Sequence, residues 1–433
     1  MNYQETLNYI YERMPLFQVV GASAYKTGIE SMVALDDYLG NPHRSFPTIH
    51  IGGTNGKGSV AHTIASVLQA SGYKTGLFTS PHLKDFRERI RVDGAPASEE
   101  FVIEFTEKHR NIIEIISPSF FEVNVAMAFE YFKQEKVDIA VIEVGLGGRL
   151  DSTNIITPLL SVITNISLDH TNILGNSIFS IAKEKAGIIK PEIPIVIGEA
   201  EGEVRRIFEE TAAERKSPVF FAESLSTEYL GVETVNGVPM QSLYINKGII
   251  RTPLLGIYQK KNIPTALCAV NILQSLGFNL TPESIEEGFR RVIELTGLQG
   301  RWQKLQEKPD IICDTGHNAA GISCVVEQLK NIPHENLHIV IGMVNDKDID
   351  HILSLLPKDA IYYFTKASIA RALPENILKE QAKKSGLCGK TYPSVPEAFD
   401  AARQKASQND IIFVGGSNFI VAEVLILNDL KKY

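Results

Sequence analysis

Apolar runs of strand length alternate with amphipathic stretches of helix length along most of the chain. Thr48–Ile51, Gly76–Thr79, Asp138–Val144, Leu160–Ile166 and Ile193–Ile197 predict strands. Helical spacing fills Val60–Ser71, Ser98–Ile116, Phe121–Lys133, Ile178–Ile188 and Glu201–Glu214. Strands such as Ile139-Ala140-Val141-Ile142 are apolar without interruption, as a parallel sheet covered on both faces requires. This rhythm predicts a doubly wound α/β fold. Between Tyr229 and Leu255 the pattern changes: Asn236-Gly237 and Asn246-Lys247-Gly248 predict turns of antiparallel hairpins. Helices follow at Lys260–Leu276 and Pro282–Ile293. Beyond Thr296-Gly297-Leu298-Gln299-Gly300-Arg301 the β–α rhythm restarts, with strands at Asp310–Asp314, Leu337–Gly342, Ala360–Phe364 and Asp410–Val414. A boundary near 295–300 predicts two domains, 1–297 and a smaller Rossmann-like α/β unit at 298–433.

Composition narrows the class. The 433 residues are 44% hydrophobic and 22% charged, proportions that suit globular domains with cores of their own. A formal net charge of -8 argues against nucleic acid as a partner. No apolar stretch reaches the length of a membrane span, and Met1-Asn2-Tyr3-Gln4-Glu5-Thr6 lacks a leader pattern, so the expected location is cytoplasmic. Cys268, Cys313, Cys324 and Cys388 are too scattered for a zinc site or a disulfide framework. Lys84, Arg87, Arg89 and Arg91 form a basic cluster, which reads equally as an anion attractor or as a solvated strand face.

The chemistry starts at Gly52-Gly53-Thr54-Asn55-Gly56-Lys57-Gly58-Ser59, between a strand and a helix. Glycines let backbone N–H groups close on an anion, and the helix N-terminus adds favourable partial charge. Lys57 is placed to reach the β- and γ-phosphates and Ser59 to sit on Mg²⁺. Gly58 intervenes between the lysine and the hydroxyl, unlike the usual spacing. The loop predicts binding of a nucleoside triphosphate with Mg²⁺. Three strands then end in polar groups: Ser80-Pro81-His82, Glu143 before Gly145-Leu146-Gly147-Gly148, and Asn165-Ile166-Ser167-Leu168-Asp169-His170. Ligands of open parallel sheets bind beyond the carboxyl ends of strands, where a carboxylate such as Glu143 suits Mg²⁺. Taken singly, Glu143 could cap a glycine turn, Ser80 could be a turn residue and His170 an ordinary loop histidine.

Gly53-Thr54-Asn55-Gly56-Lys57-Gly58-Ser59, Thr79-Ser80-Pro81-His82-Leu83, Phe86-Arg87-Glu88-Arg89-Ile90, Glu143–Asp151 and Glu184-Lys185-Ala186-Gly187-Ile188 occur in that order. Together they resemble the folylpolyglutamate synthase and dihydrofolate synthase enzymes of the ATP-dependent, amide-forming Mur ligase family, from about Phe17 to Asn418. The resemblance implies triphosphate binding at Thr54, Asn55, Gly56, Lys57, Gly58 and Ser59, and magnesium ions, two in number, at Ser80, Glu143 and His170. It implies nucleotide contacts from Asn262, Arg301 and Asp314, with His317 on the same loop as Asp314. The pterin substrate would lie against Ser119, Phe120, Phe121, Glu122, Leu150, Asp151 and Ser152. Lys185 matches a lysine that similar enzymes carry as a carbamate; a plain lysine bridging to phosphate is the alternative. Lys57, Lys185 and His170 are the implied catalytic residues. Gly342–Asp348, Ala367–Pro374 with Arg371, and Gly415-Gly416-Ser417-Asn418 are the corresponding elements of the second domain, implied to help bind glutamate and to close over the nucleotide. Gly256–Asn262, Ile263-Pro264-Thr265-Ala266 and Gln299-Gly300-Arg301-Trp302 depart from the family pattern, which weakens the adenine-side assignments.

The implied reaction is ATP-dependent addition of L-glutamate to a pterin carboxylate, with dihydropteroate and reduced folates both accepted, by a monomer that uses neither nucleic acid nor membrane. Three rivals stand beside it. A peptidoglycan-precursor ligase needs a uridine-nucleotide domain before the loop, where only about fifty residues precede it. A small-molecule kinase leaves the second domain and the Lys185 motif without a role. A nucleotide-dependent switch protein would bind ATP without ADP release dependent on folate and glutamate.

Overall fold

The computed structural model describes residues 1–14, 28–246, 248–345 and 348–430. They form two compact units, Met1–Pro253 with Gln259–Leu298, and Leu254–Tyr258 with Gln299–Tyr433.

The first unit is built on strands β1 (Thr48–Gly52), β2 (Thr75–Phe78), β3 (Ile90–Val92), β4 (Ala95–Pro96), β5 (Ile139–Glu143), β6 (Leu160–Ile163), β7 (Ile195–Ile197) and β8 (Val219–Phe221). Their order in the sheet is β4-β3-β2-β5-β1-β6-β7-β8. The run from β2 to β8 is parallel, and β3 and β4 fold back antiparallel at one edge. Every residue of β1, β2, β5 and β6 is buried, which is why their sequences lack polar alternation. Ala140 and Ile142 face a core shared with Phe78, Phe129 and Phe132. Ile139 and Val141 face the opposite core, with Ile49, Ile51, Val60 and Ile64. Each such fully buried aromatic or branched side chain contributes about 1.5–3 kcal/mol of burial.

Helix Lys57–Ala70 follows β1 and is buried at every position from Gly58 to Val67 and Leu68. Helix Pro282–Arg290 packs so closely on it that a Cβ on Gly288 would lie 2.5 Å from Val67 Cα. Because β1 sits between β5 and β6, the loops leaving β1, β2, β5 and β6 converge at one sheet edge, the place where such sheets bind ligands. β9 (Thr227–Val235), β10 (Val238–Ile245) and β11 (Gly248–Thr252) form a separate antiparallel sheet, turned at Asn236 and Gly237, both with positive φ.

The second unit carries β12 (Gln303–Gln306), β13 (Asp310–Cys313), β14 (Leu337–Ile341), β15 (Ile361–Phe364), β16 (Gly389–Thr391) and β17 (Ile411–Gly415), in the order β12-β13-β17-β14-β15-β16. Only β12 is antiparallel to its neighbour in this sheet. Trp302, Ile339, Tyr362, Phe364 and Phe413 anchor its core.

Several boundaries differ from the sequence expectation. The first-unit helix begins at Lys57 rather than Val60, because Gly56 caps it with φ +84°. The strand expected over Leu160–Ile166 stops at Ile163, and Thr164–Ser167 turn to brace the phosphate loop. The helix expected over Pro282–Ile293 ends at Arg290, and a short second helix covers Val292–Thr296. Short edge strands such as β4 and β16 offered too few residues for a periodic signal. The basic cluster forms no single face. Arg87 pairs with Asp85, Arg89 is buried over the Phe120 ring, and Arg91 donates to Gly94 O.

Candidate active site

The loop after β1 is held from below by the segment after β6. Thr54 N–H donates to Asn165 O at 2.9 Å, and Asn55 N–H to Asn165 Oδ1 at 3.0 Å. Asn55 Nδ2 donates to Ser167 Oγ at 3.2 Å, while Thr164 Oγ1 donates to Asn55 O. Gly53, at φ +135°, lies so close that a Cβ would meet Thr164 Oγ1 at 1.9 Å. A Cβ on Gly56 would meet Asn262 Oδ1 at 2.3 Å. Glycine is therefore required at both positions, for backbone conformation and for space. Lys57 Nζ folds back over the loop, donating to Gly53 O at 3.2 Å and Thr54 O at 3.0 Å. Gly58 and Ser59 are buried in the first helical turn.

Helix Gln259–Ser275 joins this loop through a residue that sequence reading did not single out. Gln259 Nε2 donates to Ser59 Oγ at 3.1 Å, and Gln259 Oε1 accepts from Asn262 Nδ2 at 2.9 Å. The departure of this segment from the family pattern hid it; a glutamine three residues before the asparagine, at helical spacing, was the available signal.

Glu143, at the carboxyl end of β5, is buried and accepts the Ser80 N–H at 3.1 Å. Two residues from two neighbouring strands thus meet. His170 stands with φ 49° before the short helix Thr171–Leu174; its N–H donates to Asp169 Oδ1 at 2.9 Å, and its ring is part-exposed. Among the described residues no group of three His, Cys, Asp or Glu side chains could hold a metal ion. The predicted ligands are instead a hydroxyl, one glutamate, one histidine and a lysine open to modification. The donor types fit a hard cation: Glu143 brings an anionic oxygen to the strand end beside β1, and Ser80, whose backbone it meets, carries a hydroxyl.

Lys185, on helix Ile178–Ala186, is only 4% exposed, and its Nζ donates to Gly53 O at 2.7 Å. Burial, and then the nearby Lys57 charge, push its pKa down from 10.5 to about 7, against the opposing pull of Asp169 and Asp151. Much of its population near neutrality is therefore the free amine.

The segment predicted for the pterin splits into two elements. Ser119 and Glu122 form a reciprocal cap on helix Phe120–Glu135: Ser119 N–H donates to Glu122 Oε2 at 2.6 Å, and Glu122 N–H to Ser119 Oγ at 3.2 Å. Phe120 is buried against Tyr11 and Phe86, whereas Phe121 lies over Gly145, whose Cβ would strike its ring at 2.4 Å. Asp151 is buried, and both its oxygens accept backbone N–H groups, from Leu146 at 2.8 Å and Thr153 at 2.9 Å. Leu150 and Ser152 flank it, half-buried. The loop is fastened to the Lys185 helix by Arg149, which donates to Glu184 Oε1 at 2.9 Å.

In the second unit, Asp314 is buried at the end of β13 and gathers three donors. Tyr258 O–H reaches Oδ2 at 2.5 Å, Trp302 N–H reaches Oδ2 at 2.7 Å, and Gly316 N–H reaches Oδ1 at 2.7 Å. Burial pushes its pKa up despite these bonds. Arg301 donates to Thr315 Oγ1, and His317 Nδ1 lies 3.0 Å from Thr315 O. Arg301, Asp314 and His317 thus belong to one braced loop system, and Tyr258 is a member that sequence reading missed. Arg371 lies over the Phe419 ring, and its carbonyl accepts the Asn345 N–H. Asp346, Lys347 and the Phe17 end of the resemblance lie outside the described residues.

Comparison with known proteins bears on this geometry. The Mur ligase middle domain matches residues 51–270, and the Mur ligase glutamate ligase domain matches residues 300–418. The chain is 31% identical over 443 residues to the dihydrofolate synthase/folylpolyglutamate synthase of Bacillus subtilis, covering 98% of each. It is 33% identical over 435 residues to a Haloferax volcanii protein named "Probable bifunctional folylpolyglutamate synthase/dihydropteroate synthase", and spans 50% of that relative's length. Escherichia coli FolC in complex with DHPP and ADP superposes with a TM-score of 0.84 at 30% identity, covering 100% of this chain and 99% of that one. The Yersinia pestis bifunctional folylpolyglutamate synthase/dihydrofolate synthase complexed with AMPPNP and Mn ion gives 0.82 at 27%, covering 99% and 98%.

Proposed function

The chain belongs to the Mur ligase family, with the folylpolyglutamate and dihydrofolate synthases, and from that premise we propose that it joins L-glutamate to both dihydropteroate and reduced folates at the expense of ATP. The observation that carries the reading is the convergence of the braced phosphate loop, the Glu143–Ser80 pair and the buried, proton-poor Lys185 at one sheet edge.

A carboxylate is a poor electrophile, so the acceptor's carboxylate first attacks the γ-phosphorus of ATP, releasing ADP and leaving an acyl phosphate. The amine of L-glutamate then attacks the acyl carbon, and phosphate departs. Such phosphoryl transfer depends on positioning and charge neutralisation more than on covalent help. Lys57 and the N–H groups of Gly56–Ser59 take the phosphates, with the Asn165–Ser167 brace on Thr54 and Asn55 keeping those donors aimed. Glu143, Ser80, His170 and a carbamylated Lys185 are the proposed holders of Mg²⁺, which when bound offsets phosphate charge and polarises the transferring group. The free amine of Lys185 adds CO₂ with loss of one proton, and the N-carboxylate so formed supplies anionic oxygens in place of a repelling ammonium. Gln259 keeps Ser59 and Asn262 aligned with the loop. Phe121 and residues 150–152 are the proposed acceptor surface. Arg301, Asp314 and His317 are the proposed nucleotide contacts contributed by the second unit.

No helix among the described residues is long and apolar enough to cross a membrane. A cytoplasmic monomer is part of the proposal.

The test is ADP release with ATP, Mg²⁺ and L-glutamate, run separately with dihydropteroate and tetrahydrofolate and followed by mass analysis. A glutamyl increment on both acceptors is expected; an increment on one alone removes bifunctionality, and none on either overturns the folate reading.

A further inference from the structure

A buried chain of polar side chains links the phosphate-loop strand to the proposed acceptor loop. His50, in the middle of β1, is fully buried and by strand alternation faces away from Ile49 and Ile51. Its Nε2 lies 2.8 Å from Thr153 Oγ1, itself fully buried. The Thr153 hydroxyl donates to Asp151 Oδ1, the oxygen that also accepts the Thr153 N–H, while Oδ2 accepts the Leu146 N–H. His50 Nδ1 is buried and has no hydrogen-bond partner among the described residues.

The direction of the protons follows from the donors. Burial pushes the Asp151 pKa up, but the backbone N–H groups of Leu146 and Thr153 pull it back, one on each oxygen, an arrangement that suits the carboxylate. Thr153 then gives its only hydroxyl proton to Asp151 and can bond to His50 only as an acceptor. His50 must carry its proton on Nε2 and leave Nδ1 bare. The reverse chain would bury an orphan N–H at Nδ1, a rarer and costlier defect than an unused lone pair. Burial independently disfavours a second proton, pushing the His50 pKa down to about 3. On its other side the loop is already fixed, because Asn154 Nδ2 donates to Arg149 O at 3.0 Å and to Gly187 O at 3.2 Å.

We propose that His50 and Thr153 are positioning residues for the acceptor: His50, as the neutral Nε2–H tautomer, fixes the Thr153 hydroxyl, which fixes Asp151 and hence the shape of residues 145–152. The inference rests on the acceptor reading of residues 150–152 given above. It explains why a histidine occupies a wholly buried site in the strand that feeds the phosphate loop. It also ties the acceptor side to the nucleotide side through one strand.

The test compares Thr153→Val, which removes the hydroxyl at nearly constant shape, with Thr153→Ser, which restores it. Thr153→Val is expected to raise the acceptor KM about tenfold, the equivalent of one lost hydrogen bond to a charged group, with ATP KM and kcat held within about twofold. Thr153→Ser should return the acceptor KM to near the wild-type value. A folded, active Thr153→Val enzyme with unchanged acceptor KM overturns the inference. Nitrogen NMR of the wild-type protein, with His50→Gln for assignment, tests it without any reliance on the valine variant. A pyridine-like Nδ1 and protonated Nε2 that do not titrate between about pH 5.5 and 8 are expected; a protonated Nδ1 overturns the chain. Failure of the wild type to use either acceptor would instead bring down the function reading, and this inference with it.

Discussion

Lys185→Met should make the protein more stable and nearly inactive. The lysine is buried beside Lys57, and the drop of its pKa from 10.5 to about 7 sets the cost of carrying charge there. That drop corresponds to a penalty on the order of 5 kcal/mol on the charged form in the folded state. Near pH 7 about half of the folded molecules still hold the proton, and a folding cost of about 4 kcal/mol remains relative to the unfolded chain. Methionine fills a similar volume without that cost, and Gly53 O keeps a donor because Lys57 also reaches it. The sign is checked through proton binding. Between pH 7 and 10.5 the unfolded chain binds more protons at this lysine than the folded one, so wild-type stability should rise with pH across that window. Lys185→Met should lack this component, and its advantage should shrink as pH rises. The assay is urea unfolding of both proteins in metal-free, CO₂-depleted buffer at several pH values, followed by ligase turnover with bicarbonate and Mg²⁺. Turnover should fall at least about 100-fold, the scale of losing one preorganised electrostatic contributor, with ATP affinity changed only a few-fold. A variant less stable than wild type near pH 7, or one that retains normal turnover, would refute the reasoning.

Two further outcomes follow from the same geometry. Glu143→Gln keeps an oxygen for the Ser80 N–H but removes the buried negative charge, so it should raise the Mg²⁺ concentration for half-maximal turnover by at least about tenfold, measured by metal titration of ADP release. Gly56→Ala must accommodate φ +84° and a Cβ 2.3 Å from Asn262 Oδ1; it should weaken ATP binding by more than about tenfold by calorimetry, and unchanged affinity would show that the loop rearranges freely.

The parts of the fold legible in the sequence were those where burial is uniform along the element. β1, β5 and β6 are buried on both faces, so their unbroken apolar runs could be read directly. β4, β12 and β16 are short or lie at edges, and their pairing depends on partners far along the chain. In the site, Lys57 and Glu143 could be picked out because chemistry restricts residue type at a phosphate loop and at strand ends, whereas Lys185, on a helix, was marked only by the family resemblance. Gln259, Tyr258 and Thr153 act through partners brought to them only by folding, and the helical spacing of Gln259 to Asn262 is the one local trace any of them leaves. Asp314 shows the difference within one residue. Its type suggested a ligand contact, and only the fold adds that its carboxyl also gathers three donors that hold its own loop.

The central claim is that an acceptor carboxylate is activated by phosphorylation before glutamate attacks. It is tested most directly by supplying dihydropteroate labelled with ¹⁸O in its carboxylate, with ATP, Mg²⁺ and L-glutamate, and weighing the phosphate released. The account predicts one ¹⁸O atom transferred to phosphate for each amide formed. Glutamylated product accompanied by unlabelled phosphate would contradict it.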